Sequence, residues 1–137
     1  MADDTTDKHV PLEDRHRELG ARMTDFGGFQ MPVQFEGIKA EHRAVRENVG
    51  LFDVSHMGEV VIEGPDAIAV IDALVTNDAT KLDDGQAQYT AMCNEKGGIV
   101  DDLVYYRLGP ERVLAVVNAA NRDKDFAHMT AKVEAYC

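Results

Sequence analysis

The chain reads as an α+β fold, an antiparallel sheet with helices packed on one face. Three observations support this. From Glu59 onward the hydrophobic pattern runs strand, helix, three strands, helix. The last three strands are joined by Asn94-Glu95-Lys96-Gly97-Gly98 and Gly109-Pro110-Glu111, connections so short that the neighbours must be antiparallel. The helical segments carry a single apolar stripe, which a sheet face can cover. With 137 residues and 45% hydrophobic content the chain can form one core of ordinary size, or part of a larger one.

In chain order, Met1-Ala2-Asp3-Asp4-Thr5-Thr6-Asp7-Lys8 is acidic and polar with nothing to bury, so residues 1–11 are expected to be a disordered lead-in. Leu12 to Leu19 reads as a short helix ending at Gly20. Phe26-Gly27-Gly28-Phe29-Gln30-Met31-Pro32 reads as a loop. Ile38, His42, Val45 and Val49 fall on one face of a helix from Gly37 to Asn48, with His42 expected in the core. Leu51 to Val54 and Glu59 to Glu63 read as short strands, the second rich in β-branched residues. Gly64-Pro65-Asp66 starts a helix buried through Ile68, Ile71 and Leu74 or Val75. Strands follow at Ala87–Met92, Ile99–Leu108 and Val113–Val117, and a helix from Ala119 to Tyr136 presents Phe126, Met129 and Val133.

Composition narrows the function. No apolar run is long enough to span a membrane, and the acidic N-terminus is unlike a secretory or transit peptide, so a cytoplasmic place is expected. Cys93 and Cys137 are expected as reduced thiols. A formal net charge of -11 opposes nucleic acid and anionic membranes, neither of which is an expected partner. There is no phosphate-binding loop, no dinucleotide fingerprint and no histidine or cysteine pair at metal spacing, so no metal is expected. Ser55 and His56 are neighbours in sequence, and neighbours on a strand point apart, which argues against a nucleophile and base pair.

One stretch is in conflict with itself. Gly97-Gly98-Ile99-Val100-Asp101-Asp102-Leu103-Val104-Tyr105 puts two carboxylates inside an apolar strand. Alternation places Asp102 with Val100, Val104, Tyr106 and Leu108, the more apolar side, and Asp101 with Arg107 on the other. A carboxylate removed from water costs several kcal/mol unless it is repaid, so Asp102 is the expected site residue and Asp101 the wet one. Tyr106 shares Asp102's face roughly 13 Å along the strand, while Tyr89 and Asn118 occupy the flanking strands. Such a row suits a flat polar heterocycle, although tyrosines on strands also serve packing.

Several runs together resemble a known family. Leu19-Gly20-Ala21-Arg22-Met23-Thr24-Asp25-Phe26-Gly27-Gly28-Phe29-Gln30-Met31-Pro32 and Gly50-Leu51-Phe52-Asp53-Val54-Ser55-His56-Met57-Gly58 are similar to the T-protein of the glycine cleavage system, the folate-dependent aminomethyltransferase. So are Gly85-Gln86-Ala87-Gln88-Tyr89, the run from Asn94 to Leu103, and Val116-Val117-Asn118-Ala119-Ala120-Asn121. The resemblance implies transfer of a one-carbon unit from the aminomethyl-lipoyl arm of H-protein to tetrahydrofolate, giving 5,10-methylenetetrahydrofolate and ammonia. It implies that Asp102 is the catalytic acid, and that Met57, Tyr89, Asp102, Tyr106 and Asn118 contact the folate. Family members are much longer, so it also implies that residues 12–137 are the N-terminal part of the folate-binding aminomethyltransferase domain, one piece of a multidomain fold and inactive alone. A folate-binding module without transferase activity and a folate-dependent demethylase domain are the alternatives. The Asp53-Val54-Ser55-His56-Met57 and Gly97-to-Leu103 motifs favour the transferase.

Overall fold

The computed structural model describes residues 8–136, which form two units that divide between His56 and Met57. The second unit holds a four-stranded antiparallel sheet. Its elements are β3 (Gly58–Glu63), α3 (Ala67–Leu74), β4 (Ala87–Cys93), β5 (Ile99–Gly109), β6 (Arg112–Val117) and α4 (Arg122–Tyr136). The spatial order is β3-β6-β5-β4, so the two strands nearest the C-terminus form the middle of the sheet. Alternate residues of every strand face α3 and α4: Ile62, Met92, Leu103, Tyr105, Val113, Ala115 and Val117 pack with Ile71, Leu74 and Met129. Helices therefore cover one face, as the periodicity predicts.

Two details of these helices differ from expectation. In α3 the buried residues are Ala67, Val70, Ile71 and Leu74, with Ile68 only partly covered. In α4 the buried stripe is Asp125 and Met129, with Val133 packed at its margin, while Phe126 is exposed. The spacing from Asp125 to Val133 is four and four, as good a helical stripe as the one read from Phe126. A charged residue at its head hid it.

The first unit contains α1 (Glu13–Glu18), a hairpin of β1 (Arg22–Phe26) and β2 (Phe29–Gln34), and α2 (Ile38–Glu47). The segment expected as a loop is this hairpin. Gly27 and Gly28, at φ of 61° and 83°, form a two-residue turn whose twist matches that of the strands, and Phe26 faces Phe29 across it. The expected lead-in falls mostly on residues 1–7, outside the described residues. Lys8, expected in the same lead-in, instead runs alongside β2: its N–H donates to Gly28 O at 2.8 Å and its carbonyl accepts from Gln30 N at 2.9 Å. Val10 is then buried. Backbone pairing needs no apolar side chain, so composition alone does not reveal it. α2 forms where expected, but none of its residues is buried and His42 is exposed.

Leu51–Val54, expected as a strand, pairs with no strand among the described residues and is held through a side chain instead. Asp53 Oδ2 lies 2.7 Å from His16 Nε2, and Asp53 Oδ1 accepts from Ser55 N at 2.9 Å. Burial works against the Asp53 charge, but the bonds from Ser55 and His16 outweigh it and hold the carboxyl below its ordinary range. Because the folded value is depressed, this carboxylate stabilises the unit at pH above about 4, and the contribution fades as acid protonates it. Asp53→Ala is expected to strand the buried His16 and to cost about 2–3 kcal/mol locally, read as faster amide exchange in α1. Unchanged exchange would show that the pair contributes nothing.

Candidate functional site

Parity along β5 holds, but the covered face is the opposite of the one expected. Asp101, Leu103 and Tyr105 are buried, whereas Asp102 and Val104 are half-buried and Tyr106 is exposed. Arg107 does not pair with Asp101; it reaches Asp84 at 2.8 Å and Leu82 O at 2.8 Å. The expectation that Asp101 is wet is thus corrected: Asp101 is 8% exposed. Counting apolar residues along one strand misleads here, because α3 and α4 choose the face. The other face keeps Val104, Leu114 and Val116 half-covered and Val61 and Leu108 exposed.

Asp102 stands on that open face as a structured acceptor. Tyr89 Oη donates to Asp102 Oδ2. Asn118 Nδ2 donates to Asp102 Oδ1 at 3.2 Å and to Asp102 O at 3.0 Å. The register explains the meeting. Tyr89 pairs with Val104, two residues from Asp102 on the same face, and Asn118 follows Val117, the partner of Leu103. The hydrogen bond and the Asp102 charge keep the Tyr89 hydroxyl above its ordinary value, so it stays a neutral donor. Met57 precedes Gly58, which pairs with Val117, so Met57 stands opposite Asn118 by register. Tyr106, opposite Ala87 and Leu114, shares the face but lies farther along it. The structure therefore groups Asp102, Tyr89 and Asn118, sets Met57 at their border and leaves Tyr106 apart. Two cavities of about 550 and 480 Å³ lie elsewhere and are lined by none of these residues. The more apolar face, expected to bury Asp102, is, among the described residues, an open sheet surface.

Beneath that surface lies an acid pair that sequence reasoning missed. Asp125 of α4 is 0% exposed. Its carboxyl faces that of Asp101 within hydrogen-bonding reach. Among the described residues, both oxygens of Asp125 and Oδ2 of Asp101 lack a donor. Burial, then the hydrogen bond and charge of Asp101, push the Asp125 carboxyl up to about 7. Burial also opposes the Asp101 charge. The Asp125 carboxyl, the neighbouring amides of Asn118 and Asn121 and the Asp102 N–H outweigh it and keep Asp101 below its ordinary value. Lys124 does little to neutralise Asp125, since its Nζ donates to Val100 O at 2.7 Å and stands 4.0 Å from Asp125 Oδ1. The available signal was Asp125 at the head of the Met129 and Val133 stripe.

Known proteins share the sequence and the fold. The family model described as the GCVT N-terminal domain matches residues 12–137. An aminomethyltransferase from Desulfitobacterium hafniense (strain Y51) is 54% identical, over 94% of this chain and 35% of its own length. One from Rubrobacter xylanophilus (strain DSM 9941 / JCM 11954 / NBRC 16129 / PRD-1) is 59% identical, over 88% of this chain and 32% of its own. The crystal structure of the glycine cleavage system aminomethyltransferase T from Bartonella henselae matches with a TM-score of 0.86 at 38% identity, over 91% of this chain and 35% of that one. The chain spans about a third of the length of the relatives it matches. Its matched region, its antiparallel sheet and the relatives' shared activity agree: the chain belongs to the glycine cleavage T-protein family and corresponds to that family's N-terminal domain.

Proposed function

We propose that the polypeptide carrying this sequence transfers the one-carbon unit of an aminomethyl group, borne on the lipoyl arm of H-protein, to tetrahydrofolate in the cytoplasm. Ammonia and the dihydrolipoyl arm are the other products. The observation that carries this reading is the Asp102 carboxylate held by Tyr89 and Asn118 on an open sheet face. An exposed tyrosine ring beside a carboxylate and a carboxamide, bordered by half-buried Val104, Leu114 and Val116, fits a flat heterocycle whose edge carries N–H groups. Tetrahydrofolate supplies the nitrogens that accept the one-carbon unit to give 5,10-methylenetetrahydrofolate.

Each residue has a role in this reading. Asp102 presents a fixed negative charge to the positive charge that develops as ammonia leaves, an interaction that strengthens as water is excluded. Tyr89 and Asn118 hold the carboxylate in one orientation before the substrates arrive, which removes the cost of orienting it during the reaction. Met57 borders the ring, and Tyr106, farther along the same face, contacts the folate beyond it. The test mixes the complete polypeptide with aminomethyl-loaded H-protein and tetrahydrofolate and measures ammonia. Folate-dependent release is expected. Folate binding without release would make the protein a folate-binding module instead.

A further inference from the structure

We propose that Asp125 and Asp101 share one proton beneath β5, and that this pair acts through Asn118 to position the Asp102 carboxylate. Asp125 has no exposed surface, its carboxyl lies within hydrogen-bonding reach of that of Asp101, and among the described residues neither of its oxygens nor Asp101 Oδ2 finds a donor. Two carboxylates at such range in a core do not both ionise. One proton between them supplies the missing donor and leaves a single negative charge. The charged and polar groups around the pair are Lys124 on α4, Asp102 on β5, Asn118 just after β6 and Asn121 just before α4. None of them delivers a donor that replaces the shared proton.

The pair leads directly to the proposed site. Asp101 Oδ1 accepts from Asn118 Nδ2 at 3.1 Å, and the same nitrogen donates to Asp102 Oδ1 at 3.2 Å and Asp102 O at 3.0 Å. One carboxamide nitrogen thus ties the buried acid to the exposed one. With the proton in place, Asp125 holds Asp101 still, Asp101 orients Asn118, and Asn118 orients Asp102. Once the proton is lost, two facing carboxylates repel and the alignment of Asn118 loosens. Asp125 is a positioning residue in this scheme, which rests on the transferase reading only for its effect on turnover.

Carbon-13 carboxyl shifts of the aspartates, followed against pH in the unaltered chain, test the proton directly. One of the pair is expected to titrate near neutrality and the other below the ordinary value of about 4. Both titrating near that ordinary value would overturn the proposal. The Asn118 side-chain amide signals are expected to move in Asp125→Leu and to return toward the parent position in Asp125→Asn, whose amide can donate to Asp101. Amide signals unmoved in the leucine variant would also overturn it. In the complete polypeptide, Asp125→Leu is expected to lower kcat at least about tenfold with little change in KM for folate, and Asp125→Asn to regain most of that loss. The parent's kcat is expected to fall as pH rises through neutrality, a limb absent from Asp125→Asn. Parent-like kcat in Asp125→Leu would refute the positioning role. An unaltered polypeptide that releases no ammonia would instead remove the transferase reading, and the carboxyl and amide shifts would still decide the pair.

Discussion

Asp102→Asn in the complete polypeptide is expected to keep the fold and to lower turnover about 10²–10³-fold, the scale of removing one preorganised electrostatic contact from an active site. The substitution preserves shape and one acceptor oxygen while deleting the charge. Asn118 can still donate to that oxygen, and Tyr89 loses its charged acceptor. Folate affinity is expected to change far less than kcat, because the charge is needed most where positive charge develops. Single-turnover ammonia release at saturating folate, with folate binding measured separately, reads the two effects apart. Equal turnover in the variant would remove Asp102 from the mechanism. An equal loss in affinity and rate would make it a binding residue only.

Ile71→Ala is expected to be the most damaging core change, costing about 2–5 kcal/mol. Ile71 is 0% exposed on α3, in the cluster that joins that helix to the sheet. A loss of that size is a large part of the roughly 5–15 kcal/mol that holds a domain together. The urea midpoint of the chain measures it, with Ile68→Ala as comparison, because Ile68 is only partly buried and is expected to cost less. Equal midpoints for the two variants would mean that α3 does not dock through the Ile71 face.

Much of the second unit is legible in the sequence alone. Strand periodicity, short turns and β-branched runs located β3 to β6 within a residue or two, and Gly64-Pro65-Asp66 marked the start of α3. The first unit was harder to read. The β1–β2 hairpin was hidden by its aromatics and glycines, which resemble a loop until the two-residue turn is recognised. Leu51–Val54 has strand composition but finds no strand partner among the described residues, and strand propensity without a partner specifies nothing.

The candidate site was legible only in part. Resemblance to the family and the conflict within β5 both pointed to Asp102, and register brought Tyr89 and Asn118 to it. Burial within the apolar strand, however, belongs to Asp101 and not to Asp102. Period-two alternation divides a strand into two faces without saying which face the helices cover.

By itself the sequence determined the strands and helices of the second unit, the family, and the residues that share a face with Asp102, because these follow from local periodicity and motif order. Only the tertiary structure decided that Asp101 lies inward, that Asp102 lies on the open surface, and that Asp125 of α4 meets Asp101. Residues 24 positions apart are brought together by packing α4 on the sheet. The cost of burying two acids at one point exists only once that packing is made.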